Sequence, residues 1–135
     1  MRQITFLCQR ALNSLENMSI QDLCHLQQMA KEDFAEAFKY LCKAEGEERP
    51  VEEYWKRTLN YIKDNPVPFD NEHVHAVTHA QKHFAELEDG NLPKERWEYL
   101  VKSFGDSMHL SCQLFMEIQK YINRTASWFL SSTFH

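Results

Sequence analysis

The chain has 135 residues and a formal net charge of −5, and 43% of its residues are hydrophobic. This length is typical of one domain, and the apolar content excludes an intrinsically disordered chain. The acidic balance argues against sequence-independent binding to nucleic acid or to an anionic membrane, since both depend on basic surface. The chain has only 3 Gly and 4 Pro. Because β-rich domains need more turn residues, this composition predicts an all-α fold.

Two helices are predicted in the first third of the chain. Apolar residues recur with the helical period over residues 2–16. Ser19 is then expected to cap a second helix, with Asp22 next to its positive end, and this helix is predicted to run to about Ala44. Its expected core face consists of Ile20, Leu23, Leu26, Ala30, Phe34, Ala37, Phe38 and Leu41.

Proline and glycine positions separate the third and fourth predicted helices. Pro50 suits the first turn of the third helix, because its missing N–H would be unpaired there in any case. An extended connection leads to Asp70 or Asn71, either of which can cap the fourth helix. That helix is predicted to end near Asp89 and Gly90, where glycine supplies left-handed C-cap geometry.

The last helix is predicted to open at Pro93 and to continue for about 30 residues, or roughly 45 Å. One apolar row consists of Trp97, Val101, Phe104, Met108, Cys112, Phe115, Ile118 and Ile122. A second row on another side consists of Leu100, Leu110, Leu114 and Tyr121. A helix that is apolar on two sides is central in its domain or uses the second side as an interface. The prediction is one domain over residues 1–135, an irregular bundle of about five helices around this long C-terminal helix.

The C-terminal tail, residues 126–135, contains no Lys, Arg, Asp or Glu. Its large apolar side chains are Trp128, Phe129, Leu130 and Phe134. Side chains of this kind are expected to be buried. The tail therefore either packs on its own domain or docks on a partner or a second copy of the chain.

The cysteines are expected to be reduced thiols. None of Cys8, Cys24, Cys42 and Cys112 lies in a C-x-x-C motif, and each has apolar neighbours at helical spacing. We expect them to be buried as small hydrophobic residues of a cytoplasmic protein. The N-terminal residues lack a signal-peptide pattern, and no apolar run is long enough for a membrane span.

Histidines mark the fourth predicted helix. His75, His79 and His83 are four residues apart, so adjacent members could share a divalent transition metal. These three residues form a histidine ladder along one side of the helix. Helical rotation places this ladder opposite the core face, and only His73 points near the core. An exposed ladder offers two ligands at a time, whereas a closed metal site needs three or four. We therefore expect a polar face without a cofactor, and a metal-dependent oxidoreductase or hydrolase is the alternative.

Acid-x-x-His pairs occur on three predicted helices, as Asp22/His25, Glu72/His75 and Asp106/His109. Helical bundles that bind two metal ions use Glu-x-x-His pairs that project inward. All three pairs are predicted to face away from the main apolar rows, and two of them contain the shorter Asp. They predict no di-metal core.

Interaction surfaces are favoured over catalysis, because the chain has no Gly-x-Ser-x-Gly, no phosphate-binding glycine loop and no His-Glu-x-x-His motif. The candidate binding residues are the apolar residues of the tail and an acidic run of Glu45, Glu47, Glu48, Glu52 and Glu53. They indicate a cytoplasmic protein that binds another protein as inhibitor, adaptor or regulator, with a homodimer through the last helix as one form. Nucleic-acid binding through a local basic patch is a further alternative.

Overall fold

The structure, a computed structural model, describes residues 15–67, 70–89 and 91–133, with the side chains of residues 71, 74, 78, 88, 89 and 128–133 left out. These ranges contain no strand. The elements are a 3-10 helix (Leu15–Asn17), α1 (Ile20–Glu45), α2 (Val51–Asp64), α3 (Asn71–Gln81), a second 3-10 helix (Phe84–Asp89) and α4 (Lys94–Thr133). The predicted all-α class is confirmed. The first predicted helix, residues 2–16, lies outside the described residues except for Leu15 and Glu16.

Both ends of α1 are determined by local hydrogen bonds. The Ser19 hydroxyl accepts a hydrogen bond from the backbone N–H of Asp22 at 3.1 Å. At the other end Gly46 has φ 70°, a left-handed conformation that favours glycine, and its N–H donates to the carbonyl of Lys43 at 3.3 Å. The predicted core face is buried except for Ile20, the first residue of the helix, which is 39% exposed.

The fourth predicted helix ends earlier than expected. Asp70 caps α3 as predicted, accepting a hydrogen bond from the N–H of His73 at 2.8 Å. However, α3 ends at Gln81, and the chain continues as the 3-10 helix Phe84–Asp89. Phe84 is 1% exposed, and its ring lies 4.5 Å from that of Phe104 on α4. We attribute the tighter turn to this tertiary contact, which holds Phe84 in the core.

The last helix, α4, is the central element of the described fold and contacts α1, α2, α3 and both 3-10 helices. Its 40 residues span about 60 Å at the helical rise. Most of both apolar rows is buried, and their members with 0% exposure are Leu100, Phe104, Leu110, Cys112, Leu114 and Ile118. Val101, Phe115, Tyr121 and Ile122 are half-buried. The second row is therefore core of this chain rather than a free interface. Trp97 is an exception to the first row, because it precedes the first buried turn and is 37% exposed.

The register of α1 against α4 is antiparallel. The Gln27 side chain donates hydrogen bonds to Gln119 Oε1 at 2.8 Å and to the carbonyl of Phe115 at 3.3 Å. Further along α1, the Tyr40 ring lies 5.9 Å from that of Phe104. Residue numbers thus rise on one helix while they fall on the other.

The C-terminal tail is a continuation of α4 and not a separate segment, since the helix extends to Thr133. Trp128, Phe129 and Leu130 belong to this continuation, and their side chains lie outside the described part of the structure. Phe134 lies wholly outside the described residues. Among the helices that the structure describes, none has the length and apolar character that crossing a membrane requires.

Candidate functional site

The acidic run divides into paired and free carboxylates. Glu45 accepts a hydrogen bond from Arg49 Nη2 at 2.5 Å, and Glu52 lies 3.2 Å from Lys31 Nζ on α1. Glu47, Glu48 and Glu53 are exposed, and none forms an ion pair with the described residues. Two of the five predicted residues therefore stabilise the α1–α2 connection, which leaves three for contact with another molecule.

Arg49 holds the α1–α2 connection against the helices. Its guanidinium group lies 5.1 Å from the ring centroid of Tyr54 and 5.8 Å from that of Phe38, distances typical of cation–π contacts. The same group binds the Glu45 carboxylate. Contacts to three side chains on both flanking helices favour one conformation of the loop.

A pocket of about 520 Å³ opens beside this connection, between the C-terminal end of α1 and the start of α2. We call it the loop groove. Its lining includes the apolar residues Phe38, Cys42 and Val51, and it carries charges of both signs, with Glu47 and Glu48 beside Lys39, Lys43 and Arg49. The predicted acidic residues thus border an apolar depression, an arrangement that sequence spacing does not reveal.

The histidine ladder is interrupted by the end of α3. His75 and His79 are exposed on α3, as predicted, whereas His83 lies after the helix and is half-buried. His83 Nδ1 is 2.7 Å from Glu86 Oε1, and its ring lies edge-on to that of His79 with 5.3 Å between centroids. The described residues contain no group of three His, Cys, Asp or Glu side chains placed to hold a metal ion.

A smaller cleft of about 270 Å³ lies between α3 and α4, lined in part by His73, Lys102, Ser103 and Asp106. His73 Nε2 is buried there and has no hydrogen-bond partner among the described residues. The cleft combines a carboxylate, imidazoles and a lysine, but its serine hydroxyl is engaged. Ser103 Oγ donates to the carbonyl of Tyr99 at 2.7 Å.

The acid-x-x-His pairs remain on three separate helices. The Asp22/His25 and Glu72/His75 side chains are exposed, and Asp106 and His109 are half-buried. Burial lowers the pKa of His109, and the Asp106 carboxylate opposes this shift.

The described cysteines are free thiols with different environments. Cys42 and Cys112 are buried as predicted, whereas Cys24 is exposed, which corrects the expectation for that residue. Cys24 lies on the outer side of α1, one position after the buried Leu23. Cys8 lies outside the described residues.

Sequence reasoning missed a second groove, of about 470 Å³, between α2 and α4. We call it the α2–α4 groove. Its floor consists of Leu59, Phe115 and Met116, and its rim carries Lys56, Lys63 and Lys120. The helical period placed Phe115 in an apolar row, but only the packing of α2 against α4 shows that its side chain remains partly exposed.

A second feature that sequence reasoning missed links the 3-10 helix Phe84–Asp89 to α4. Arg96 donates two hydrogen bonds to the Glu86 carboxylate, at 2.7 and 2.6 Å. The hydrogen bonds from Arg96 and His83 lower the pKa of Glu86 to about 2. The partners are ten positions apart in sequence, so no short-range signal indicates the pair.

Comparison with known proteins found no match to the chain among protein-family models, curated proteins or solved structures. The geometry of the grooves, clefts and charged side chains therefore carries the functional assignment.

Proposed function

We propose that this chain is a cytoplasmic protein-binding module that acts on another protein as inhibitor, adaptor or regulator. The loop groove is the observation that carries this proposal. It joins an apolar floor with Phe38 and Val51 to the free carboxylates of Glu47 and Glu48. Protein interfaces are built in this way, with apolar anchors in a central depression and polar groups around the rim.

The loop groove presents charges of both signs, and its carboxylates are the groups that would attract a basic partner. Glu47 and Glu48 form no ion pair with the described residues, so their carboxylates are available to a basic segment. Long-range attraction by exposed charges mainly accelerates association, and contact with the apolar floor slows dissociation. The expected ligand is a partner segment with lysines or arginines beside one or two large apolar side chains.

A labelled peptide tests the loop groove directly. The probe is an amphipathic helix with leucines on one face and lysines on its flanks, and binding is followed by fluorescence anisotropy. Reversing both rim charges, with Glu47→Lys and Glu48→Lys, should weaken binding about tenfold, which corresponds to about 1.4 kcal/mol. Both positions are exposed, so the variant should keep the wild-type thermal stability.

A matched control separates local from overall charge. Glu95 and Glu98 are exposed near the start of α4, away from the loop groove. Reversing both changes the net charge by the same amount and should leave peptide affinity within about twofold. Equal weakening in the two variants would show that only the net charge of the chain matters, and the loop groove would then have no role.

A homodimer through the C-terminal end of α4 is a further part of the proposal. The antiparallel register, with Gln27 against Gln119, places the first residue of α1 near residue 126 of α4. The helix nevertheless continues to Thr133, through Trp128, Phe129 and Leu130. Light scattering after size-exclusion chromatography should give twice the chain mass, and replacing these three residues with serine should give the monomer mass. A monomeric wild-type chain at high concentration excludes the dimer.

A further inference from the structure

The charged residues that line the α2–α4 groove are all lysines, whereas the loop groove carries charges of both signs. These lysines are exposed, and Lys56 and Lys63 form no ion pair with the described residues. Lys120 lies 3.1 Å from Glu117, but its side chain is 63% exposed, so solvent screens this pair. The groove is thus a local basic site on a chain whose net charge is −5.

The floor of this groove is apolar and partly open. Leu59, Phe115 and Met116 are each half-buried. The Trp55 ring lies edge-on to Phe115 with 4.9 Å between centroids, which fixes the aromatic part of the floor. Methionine adds an adaptable surface, because its unbranched side chain fits ligands of different shape.

The spacing of the lysines indicates the shape of the ligand. Lys56 and Lys63 are seven residues apart on α2, which places them on one side of the helix about 10.5 Å apart along its axis. A partner helix with carboxylates at positions i and i+7 presents charges at the same interval. Apolar residues at i+3 and i+4 of such a helix would face the floor between them.

We propose that the α2–α4 groove binds an acidic amphipathic helix of a partner protein. Carboxylates of that helix pair with Lys56 and Lys63, and its apolar side chains cover Leu59 and Met116. The apolar floor favours such a helix over nucleic acid, because nucleic-acid affinity depends mainly on phosphate contacts and this rim offers three lysines. This site does not depend on the loop groove, and together the two grooves would suit an adaptor.

The first test uses a labelled acidic helical peptide with glutamates seven residues apart and leucines between them. Anisotropy should show saturable binding that weakens as salt is added. The variant Lys56→Glu with Lys63→Glu should raise the Kd at least tenfold. A matched variant, Lys82→Glu with Lys94→Glu, changes the net charge equally at exposed positions outside the groove and should change the Kd less than twofold.

Methyl NMR locates the bound peptide. With labelled methionine, the Met116 signal should shift on titration, because this residue lies in the floor of the groove. Met108 is 3% exposed in the core, so its signal should not move. This readout needs no substitution and therefore does not depend on how well a variant folds.

Four results would overturn the proposal. These are absence of saturable binding, equal binding by a scrambled peptide, an unchanged Met116 signal, and tighter binding by a single-stranded oligonucleotide than by the acidic peptide. The last result would assign the groove to nucleic acid. The loop groove is probed with a basic peptide and a different variant pair, so failure at one groove is distinguishable from failure at the other.

Discussion

Truncation of Leu110 to alanine tests whether the second apolar row of α4 is core or interface. Leu110 is 0% exposed and belongs to a buried cluster that includes Leu23 and Leu26 of α1 and Val77 of α3. If this row belongs to the core of a single chain, the substitution should lower the free energy of unfolding at every protein concentration.

The size of the effect follows from the burial of the side chain. Replacing leucine with alanine removes three carbon groups from the core, and their transfer to water accounts for about 2.4 kcal/mol. The cavity that remains raises the expected loss to about 3–4 kcal/mol. Since a domain of this size is commonly stable by about 5–15 kcal/mol, the variant should still fold and its unfolding should be measurable.

Urea denaturation followed by helical circular dichroism measures the loss. Ile20→Ala is the control, because Ile20 is 39% exposed and its truncation should cost less than about 1 kcal/mol. The midpoint for Leu110→Ala should fall equally at low and high protein concentration. A loss that appears only at high concentration would show that Leu110 lies in a contact between copies, and a loss below that of the control would refute its burial.

Three further predictions concern glycine, cysteine and acid stability. Gly46→Ala should lower the free energy of unfolding by about 1–2 kcal/mol, because a left-handed residue acquires a Cβ. Gly105→Ala should instead raise it by about 0.5–1 kcal/mol, since the new Cβ would meet no atom within 4 Å. Urea midpoints in the opposite order would contradict these backbone conformations. Iodoacetamide should modify Cys24 in the folded protein and Cys112 only after unfolding, because burial raises the pKa of Cys112 to about 12, and equal labelling by peptide mass spectrometry would refute this. The pKa of Glu86 is lowered from 4.5 to about 2, so its stabilising effect is complete above pH 4.5 and is lost as the pH falls towards 2. The difference in melting temperature between wild type and Glu86→Gln should therefore narrow over that interval, and a difference as large at pH 2 as at pH 5 would contradict this.

The starts of α1 and α3 and the end of α1 were predictable because their determinants are local. Ser19 and Asp70 each accept a hydrogen bond from an N–H three residues later, and Gly46 adopts the left-handed conformation that only glycine takes without strain. The sequence contains both partners of such contacts within one helical turn. The outward placement of His75 and His79 was predictable for the same reason, since it depends only on rotation about one helix.

The candidate sites were only partly predictable. Composition located the acidic run, but the structure shows that Glu45 and Glu52 are engaged by Arg49 and Lys31. The partner of Glu52 lies on another helix, so no pattern among neighbouring residues predicts this ion pair. The free carboxylates could therefore be distinguished from the paired ones only after the helices were placed.

The sequence by itself determined the helical class, the caps and the core face of α1, because the helical period and hydrogen bonds between near neighbours require no knowledge of distant residues. Tertiary structure decided that α3 ends at Gln81 and that Leu110 is core, since both depend on contacts with other helices. It also created the α2–α4 groove, where Lys56 and Met116 are 60 positions apart in sequence. The physical reason is that a groove belongs to the space between two helices, and neither helix specifies that space alone.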